Sequence, residues 1–146
     1  MSLTKPTTQP SRQSAPNPKQ AGRIGENLAA QYLQDQGWEI LARNWRPSAA
    51  LGPGLRGEID IVAQEPAGDS TSHPTLVIVE VKTRTSTSAG YPAAAVTKKK
   101  LSQLRALTAA WVCAQTTPTP RLRVDVISIQ LRPGRPAALR HHQGVS

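Results

Sequence analysis

Apolar side chains recur every fourth position near the start of the chain, which is the spacing of one helix face. Ile24, Leu28 and Tyr32 form this stripe within residues 22–36. Gly37 follows at the position where a left-handed glycine commonly ends a helix. The pattern therefore predicts a first helix from about residue 22 to 36.

Four later segments have the alternation or the β-branched composition of strands. They are residues 38–43, 57–63, 76–84 and 122–129. A second helix, capped by Thr97 and ending near Ala114, is predicted between the third and fourth strands. The resulting order α-β-β-β-α-β is an α/β fold, with a four-stranded mixed sheet flanked by helices and a meander of the first three strands.

The two ends of the chain have a different composition from its middle. Residues 1–20 contain four prolines, three basic residues and no acid, and residues 131–146 contain three arginines and no acid. Such segments bury too little apolar surface to offset the entropy of ordering. We therefore predict disordered basic tails at 1–20 and 131–146, and one domain at 21–130.

Charge is segregated within that domain. Residues 21–80 hold four basic and eight acidic side chains, whereas residues 81–124 hold eight basic and no acidic ones. The net charge of +9 over 146 residues favours an anionic partner, with nucleic acid ahead of a membrane. A single cysteine excludes an intrachain disulfide framework, and no apolar run is long enough for a membrane span. We expect a cytoplasmic protein.

Charged residues interrupt the second and third predicted strands, where burial disfavours them. Glu58 and Asp60 share one face of the second strand, and Glu80 and Lys82 share one face of the third. Buried carboxylates are costly unless they are paired or bind a metal. If the faces coincide, Asp60, Glu80 and Lys82 meet, as an ion pair without chemistry or as a site for Mg²⁺ or Mn²⁺.

Several stretches of the chain together resemble the YraN-like family of uncharacterised bacterial proteins, which has a restriction-endonuclease-like fold related to Holliday junction resolvases. They are Gly22-Arg-Ile-Gly-Glu26 with Ala29-Ala-Gln-Tyr-Leu33, Asn44-Trp-Arg46, Gly57-Glu-Ile-Asp-Ile-Val62, Val79-Glu-Val-Lys-Thr-Arg84 and Lys100. The resemblance implies that Asp60, Glu80 and Lys82 match the nuclease triad and that Glu26 matches a further active-site acid. The alternative for Glu26 is a solvated helix acid.

The expected roles follow from this assignment. Asp60 and Glu80 would hold Mg²⁺ or Mn²⁺, and Lys82 would orient water or offset transition-state charge. Basic side chains on the later half of the chain and around the first strand are expected to contact phosphate. These are Arg84, Lys100, Lys99, Arg46 and Arg43. Residues 47–55 form an apparent insertion that could cover the site.

The function expected from these features is a metal-dependent, nuclease-like protein that binds and cleaves structured or branched DNA. A nucleic-acid-binding module that keeps the fold without catalysis is the alternative, and a basic scaffold whose tails bind RNA is a third reading. Because junction resolvases act as dimers, a homodimer also stays open.

Overall fold

A five-stranded mixed sheet lies between two helices in this computed structural model, which describes residues 15–50, 54–68, 73–85, 96–115 and 121–145. The elements are α1 (Pro18–Asp35), β1 (Glu39–Trp45), β2 (Ile59–Glu65), β3 (Thr75–Arg84), α2 (Lys98–Ala114), β4 (Arg121–Gln130) and β5 (Ala138–His142). Strands follow chain order across the sheet, and only β3 and β4 are parallel. The predicted α/β class, the α-β-β-β-α-β order and the initial meander are confirmed, but the sheet has five strands where four were predicted, because β5 adds to its edge.

Local capping explains where both helices begin. The Asn17 side chain accepts the Gln20 N–H at 2.9 Å, while the Gln20 side chain accepts the Asn17 N–H at 3.0 Å. Helix α1 therefore starts at Pro18, inside the segment predicted as a tail; residues 1–14 of that segment lie outside the described residues. Helix α2 begins as predicted, with Thr97 Oγ1 accepting the Lys100 N–H at 3.1 Å.

Each face of the sheet packs against one helix. The α1-facing core consists of Ala29, Ala30, Leu33, Trp38, Ile61, Ala63, Val77, Val79, Ile127 and Ile129. The α2-facing core consists of Ile59, Val62, Leu76, Ile78, Leu104, Leu107 and Trp111. Successive residues of β3 and β4 alternate between these two cores, which fixes the face on which the polar side chains of these two strands lie.

Residues 138–142 form a strand, which corrects the prediction that the segment 131–146 is a disordered tail. Strand β5 pairs antiparallel with β4, and the His141 ring lies 2.7 Å from Asp125 Oδ2 and 3.0 Å from the Tyr32 hydroxyl. Asp125 is fully buried, and it also accepts hydrogen bonds from Arg123 and the Gly144 N–H. A buried carboxylate requires such donors. These hydrogen bonds connect β5 to the rest of the protein, and they leave no apolar pattern in the sequence of residues 131–146.

Asp125 pairs with Arg123, whose Nε and Nη2 atoms donate to its two carboxylate oxygens at 2.8 and 3.0 Å. Burial alone would raise the pKa of Asp125, but the hydrogen bonds from His141 and Arg123 outweigh burial and hold that pKa below its usual value. His141 links β5 to Asp125 of β4 and to Tyr32 of α1.

No helix within the described parts of the chain has the length and apolar character needed to cross a membrane.

Candidate active site

The site lies where strands β2 and β3 part. Their pairing runs from Glu65 opposite Thr75 to Ile61 opposite Val79. One step further, the Val81 N–H donates at 2.8 Å to Asp60 Oδ2, so that a side chain takes the position of a strand partner. This hydrogen bond holds the Asp60 carboxylate at the opening between the strands.

Asp60 and Glu80 are close enough to perturb each other. Burial, and next the charge of Glu80, raise the pKa of Asp60 to about 7. Burial also raises the pKa of Glu80, against the lowering effect of the Lys100 ammonium. Glu80 Oε2 is buried without a hydrogen-bond partner among the described residues. Two carboxylates that resist ionising together need a further cation if both are to be charged.

Two more acids approach Asp60 from the β1 side. Glu26, Glu58 and Asp60 each place one carboxylate oxygen in a common cluster. These three oxygen atoms lie within 4.8 Å of one another. The Asn44 amide donates to Glu26 Oε2 at 2.8 Å and to Glu58 Oε1 at 3.4 Å. Asn44 has a φ of +49°, a left-handed conformation that asparagine tolerates better than most residues. Both the backbone and the amide of Asn44 thus bring Glu26 and Glu58 together.

Glu26 reaches the site because the preceding residue, Gly25, brings α1 very close to β3. Gly25 is buried, and a Cβ built on it would overlap the Thr83 hydroxyl. Only glycine lets the helix backbone approach Thr83 this closely. In the Gly25-Glu26 pair, the glycine therefore allows the helix to contact β3, and the glutamate then lies next to Asp60.

The variant Gly25→Ala is expected to destabilise the fold by about 1–3 kcal/mol, since the helix must move away from Thr83. Chemical denaturation measures this change. Gly22→Ala is the control, because nothing lies within 4 Å of a Cβ at Gly22. Equal stability of the two variants would show that the close approach at Gly25 is unimportant.

The predicted phosphate-binding residues occupy different environments. Lys100 Nζ lies 3.6 Å from Glu80 Oε1, and Arg46 Nε lies 3.1 Å from Glu58 Oε2. Arg43 donates to Asn27 at 2.7 Å. Lys99 and Arg84 are exposed. Lys100 and Arg46 are thus counter-charges to site acids, and phosphate contact by all five stays a prediction.

The family model for the uncharacterised protein family UPF0102 matches residues 25–129. The chain belongs to this family. It is the YraN-like family that the sequence motifs indicated.

Curated UPF0102 proteins resemble this chain over most of its length. The protein from Kineococcus radiotolerans is 41% identical over 126 residues, covering 86% of this chain and 92% of the relative. The protein from Nocardia farcinica is 39% identical over 128 residues, covering 87% and 90%. That from Arthrobacter sp. is 47% identical over 108 residues, covering 74% and 80%.

The UPF0102 match includes Glu26, Asp60, Glu80 and Lys82, but it ends before β5. Sequence reasoning located these four residues from strand periodicity and family motifs. Asn44 was recognised only as part of the motif Asn44-Trp-Arg46, although an asparagine next to charged residues at a strand end was a signal. Regular strand alternation would place Ile59 and Ile61 on one face, but Ile59 packs in the α2-facing core and Ile61 in the α1-facing core. The alternation breaks at Asp60, where pairing with β3 has ended.

The apparent insertion at 47–55 is described only at 47–50 and 54–55, and residues 51–53 lie outside the described residues. Leu55 packs against the α2-facing core. That the insertion covers the site of this UPF0102 protein stays a prediction.

Stability without metal is expected to depend on the ionisation of Asp60. Its folded pKa of about 7 lies above the ordinary value of 3.8, so the folded state binds a proton more readily than the unfolded state. Stability should therefore fall as pH rises from about 4 to 7, by up to about 4 kcal/mol from this group. Urea unfolding in EDTA across this range should show a flatter profile for Asp60→Asn. A profile identical to that of the wild type would contradict the pKa assigned to Asp60.

Proposed function

We propose that this UPF0102 protein is a metal-dependent nuclease that binds structured or branched DNA and hydrolyses its phosphodiester bonds. The observation that carries the proposal is the convergence of Asp60 and Glu80 at the point where β2 and β3 separate. Lys82 follows Glu80 by two residues on the same strand. Acids and a lysine in this arrangement suit phosphoryl transfer, which needs a bound cation and a positive group at the reacting phosphate.

The donor set fits a hard divalent cation. Glu80 Oε2 is buried and unpartnered within the described chain, and all the nearby acids offer carboxylate oxygens. Asp60 and Glu80 would hold Mg²⁺ or Mn²⁺, both of which prefer oxygen ligands. When bound, the ion polarises a phosphoryl oxygen and lowers the pKa of a coordinated water.

The chain's own groups prepare the site. The Val81 N–H fixes the orientation of Asp60, and Lys100 offsets part of the charge on Glu80. Lys82 lies on the same strand face as Glu80, where its ammonium can orient the attacking water or offset charge on the phosphate. Because Asn44 holds Glu26 and Glu58 beside Asp60, those two acids are placed to accept hydrogen bonds from water at the site.

Charge outside the site supports an anionic substrate. Residues 81–124 carry eight basic and no acidic side chains. Lys98, Lys99 and Arg105 are exposed on α2. Such cations bind the phosphate backbone without reading sequence.

A non-catalytic nucleic-acid-binding module is the second candidate function. The ion pairs Lys100–Glu80 and Arg46–Glu58 favour it, because they neutralise two of the acids without a metal. On this reading the site acids stabilise the fold, and the exposed cations bind nucleic acid.

Cleavage of a panel of labelled substrates separates the two candidates. The panel contains duplex, flap, four-way junction and single-stranded DNA, each incubated with Mg²⁺, with Mn²⁺ and with EDTA. A nuclease cuts at least one substrate only when the metal is present. Binding without cutting in all conditions would favour the non-catalytic module.

A further inference from the structure

A groove on the α2 side of the sheet has no role in the site described above. It lies between α2 and β4 and has a volume of about 430 Å³, which is within the usual range of ligand-binding sites. Residues of α2, of β4 and of the C-terminal segment form its walls: Leu101, Arg105, Ala109, Leu122, Val124 and Val145. Leu122 is 48% exposed, so a large apolar side chain faces solvent here. The groove is therefore open, and a ligand with an apolar part would cover this surface.

The groove adjoins the candidate active site. Its floor includes Ile78, which precedes Glu80 by two residues on the same face of β3. Neighbours on one face of a strand are about 7 Å apart. Leu101 follows Lys100, whose ammonium lies 3.6 Å from Glu80 Oε1. A polymer that lies across the site can therefore place its next unit in the groove.

An unpaired cation lies at the groove. Arg105 is exposed, and it makes no hydrogen bond or ion pair with any residue that the structure describes. The other polar side chains of the groove are engaged within the protein. The Thr108 hydroxyl donates to the Leu104 carbonyl at 2.6 Å, and Arg123 pairs with Asp125. Apolar walls with one uncompensated positive charge suit a ligand that has an apolar part and an anionic part.

A nucleotide has both parts, because its base has apolar faces and its phosphate is an anion. A base within a duplex is paired and stacked, whereas an unpaired base is free to leave the stack and contact apolar side chains. Since the groove offers few groups that could read the edge of a base, such binding would depend little on base identity.

We propose that the groove receives an unpaired base of a nucleic acid that lies across the site, and that Arg105 contacts the phosphate of that nucleotide. The preferred substrate is then DNA with an unpaired segment, such as a flap, rather than continuous duplex. This role of the groove rests on the proposed function only in taking nucleic acid as the ligand, and hydrolysis is not required for it.

Two fluorescent duplexes with single-stranded tails of equal length test this role in EDTA. One tail consists of thymidine nucleotides, and the other consists of abasic nucleotides, which keep the phosphates and lack the bases. The wild type should bind the thymidine tail at least about fivefold more tightly, the lower end of what one base contributes in single-strand sites. Ala109→Leu, which narrows the groove, should remove this difference, and Leu122→Ala, which removes part of one wall, should reduce it. Ala106→Leu is the matched control at an exposed position of α2 outside the groove.

Arg105→Gln tests the phosphate contact. It should weaken the binding of both tails and lower the salt slope of log K by about 0.7, the effect of one single-strand phosphate contact. Arg23→Gln makes the same charge change at an exposed position of α1, which packs on the opposite face of the sheet, and it should leave the slope unchanged.

Equal binding of the two tails by the wild type would overturn the proposed base contact and favour another occupant, such as a small amphiphilic anion. A preference that persists in Ala109→Leu, or that Ala106→Leu loses equally, would also overturn it. Failure of the nuclease function has a different signature. If the wild type cuts no substrate with Mn²⁺ while Ala109→Leu alone loses the preference for the thymidine tail, the hydrolytic function fails and base binding is supported. Melting temperatures check that each variant is folded.

Discussion

Replacing Lys82 by alanine is expected to slow metal-dependent cleavage at least about a hundredfold, the usual effect of losing one preorganised electrostatic group. Lys82 lies two residues from Glu80 on the same face of β3, and its side chain is half-buried. Its ammonium is therefore placed to act on the water or the transition-state charge. On the proposed function, DNA affinity should fall less than about tenfold, since the exposed cations of α2 would remain available to contact phosphate.

Lys99→Ala is the matched control, because it removes the same charge from an exposed position on α2. Single-turnover cleavage, junction affinity and melting temperature are measured for both variants. If Lys82→Ala is folded, binds DNA and cuts at the wild-type rate, Lys82 is not catalytic. If it unfolds and Mg²⁺ does not restore it, Lys82 serves as a structural counter-charge to the acids.

Mg²⁺ is expected to stabilise the wild type, because the fold brings together Asp60 and Glu80, which are apart in the unfolded chain. A ligand that binds only the folded state stabilises it by about 2.7 kcal/mol at a hundredfold excess over its dissociation constant. Asp60→Asn should lose most of this gain. It replaces a charged oxygen ligand by a neutral amide, while keeping an oxygen that can accept the Val81 N–H.

Thermal unfolding with and without Mg²⁺ measures both effects. Glu39→Gln is the control, since Glu39 is an exposed acid at the start of β1, away from the site. It should keep the full gain in stability. An equal gain in wild type and Asp60→Asn would place the ion elsewhere on the protein.

Much of this fold could be predicted from local sequence patterns. Strands β1 to β4 have alternating or β-branched residues, and α2 has apolar periodicity and a clear cap at Thr97, so the existence of these elements followed directly from the sequence. Strand β5 did not, because the polar contacts that join it to the rest of the fold are made with residues distant in sequence. His141 hydrogen-bonds to Asp125 over a separation of 16 residues and to Tyr32 over 109, and such contacts leave no local periodicity.

The part of the site that depends on strand alternation and on the family motifs could be predicted from the sequence. Asp60, Glu80 and Lys82 follow from charges within buried strands, and Gly25-Glu26 from the family motif. The role of Asn44 depends on a left-handed φ, and the pairing of Lys100 with Glu80 depends on how α2 lies across the sheet. Both are tertiary features, which alternation along single strands cannot show.

The most direct test of the account is the Mn²⁺-dependent cleavage rate of the wild type, Asp60→Asn, Glu80→Gln and Glu39→Gln across the same DNA panel. The account predicts that the wild type and Glu39→Gln cut at least one substrate at similar rates. Both site variants should lose at least about a hundredfold in rate while remaining folded. Cleavage by the site variants at the wild-type rate, or no cleavage by the wild type on any substrate, would contradict it.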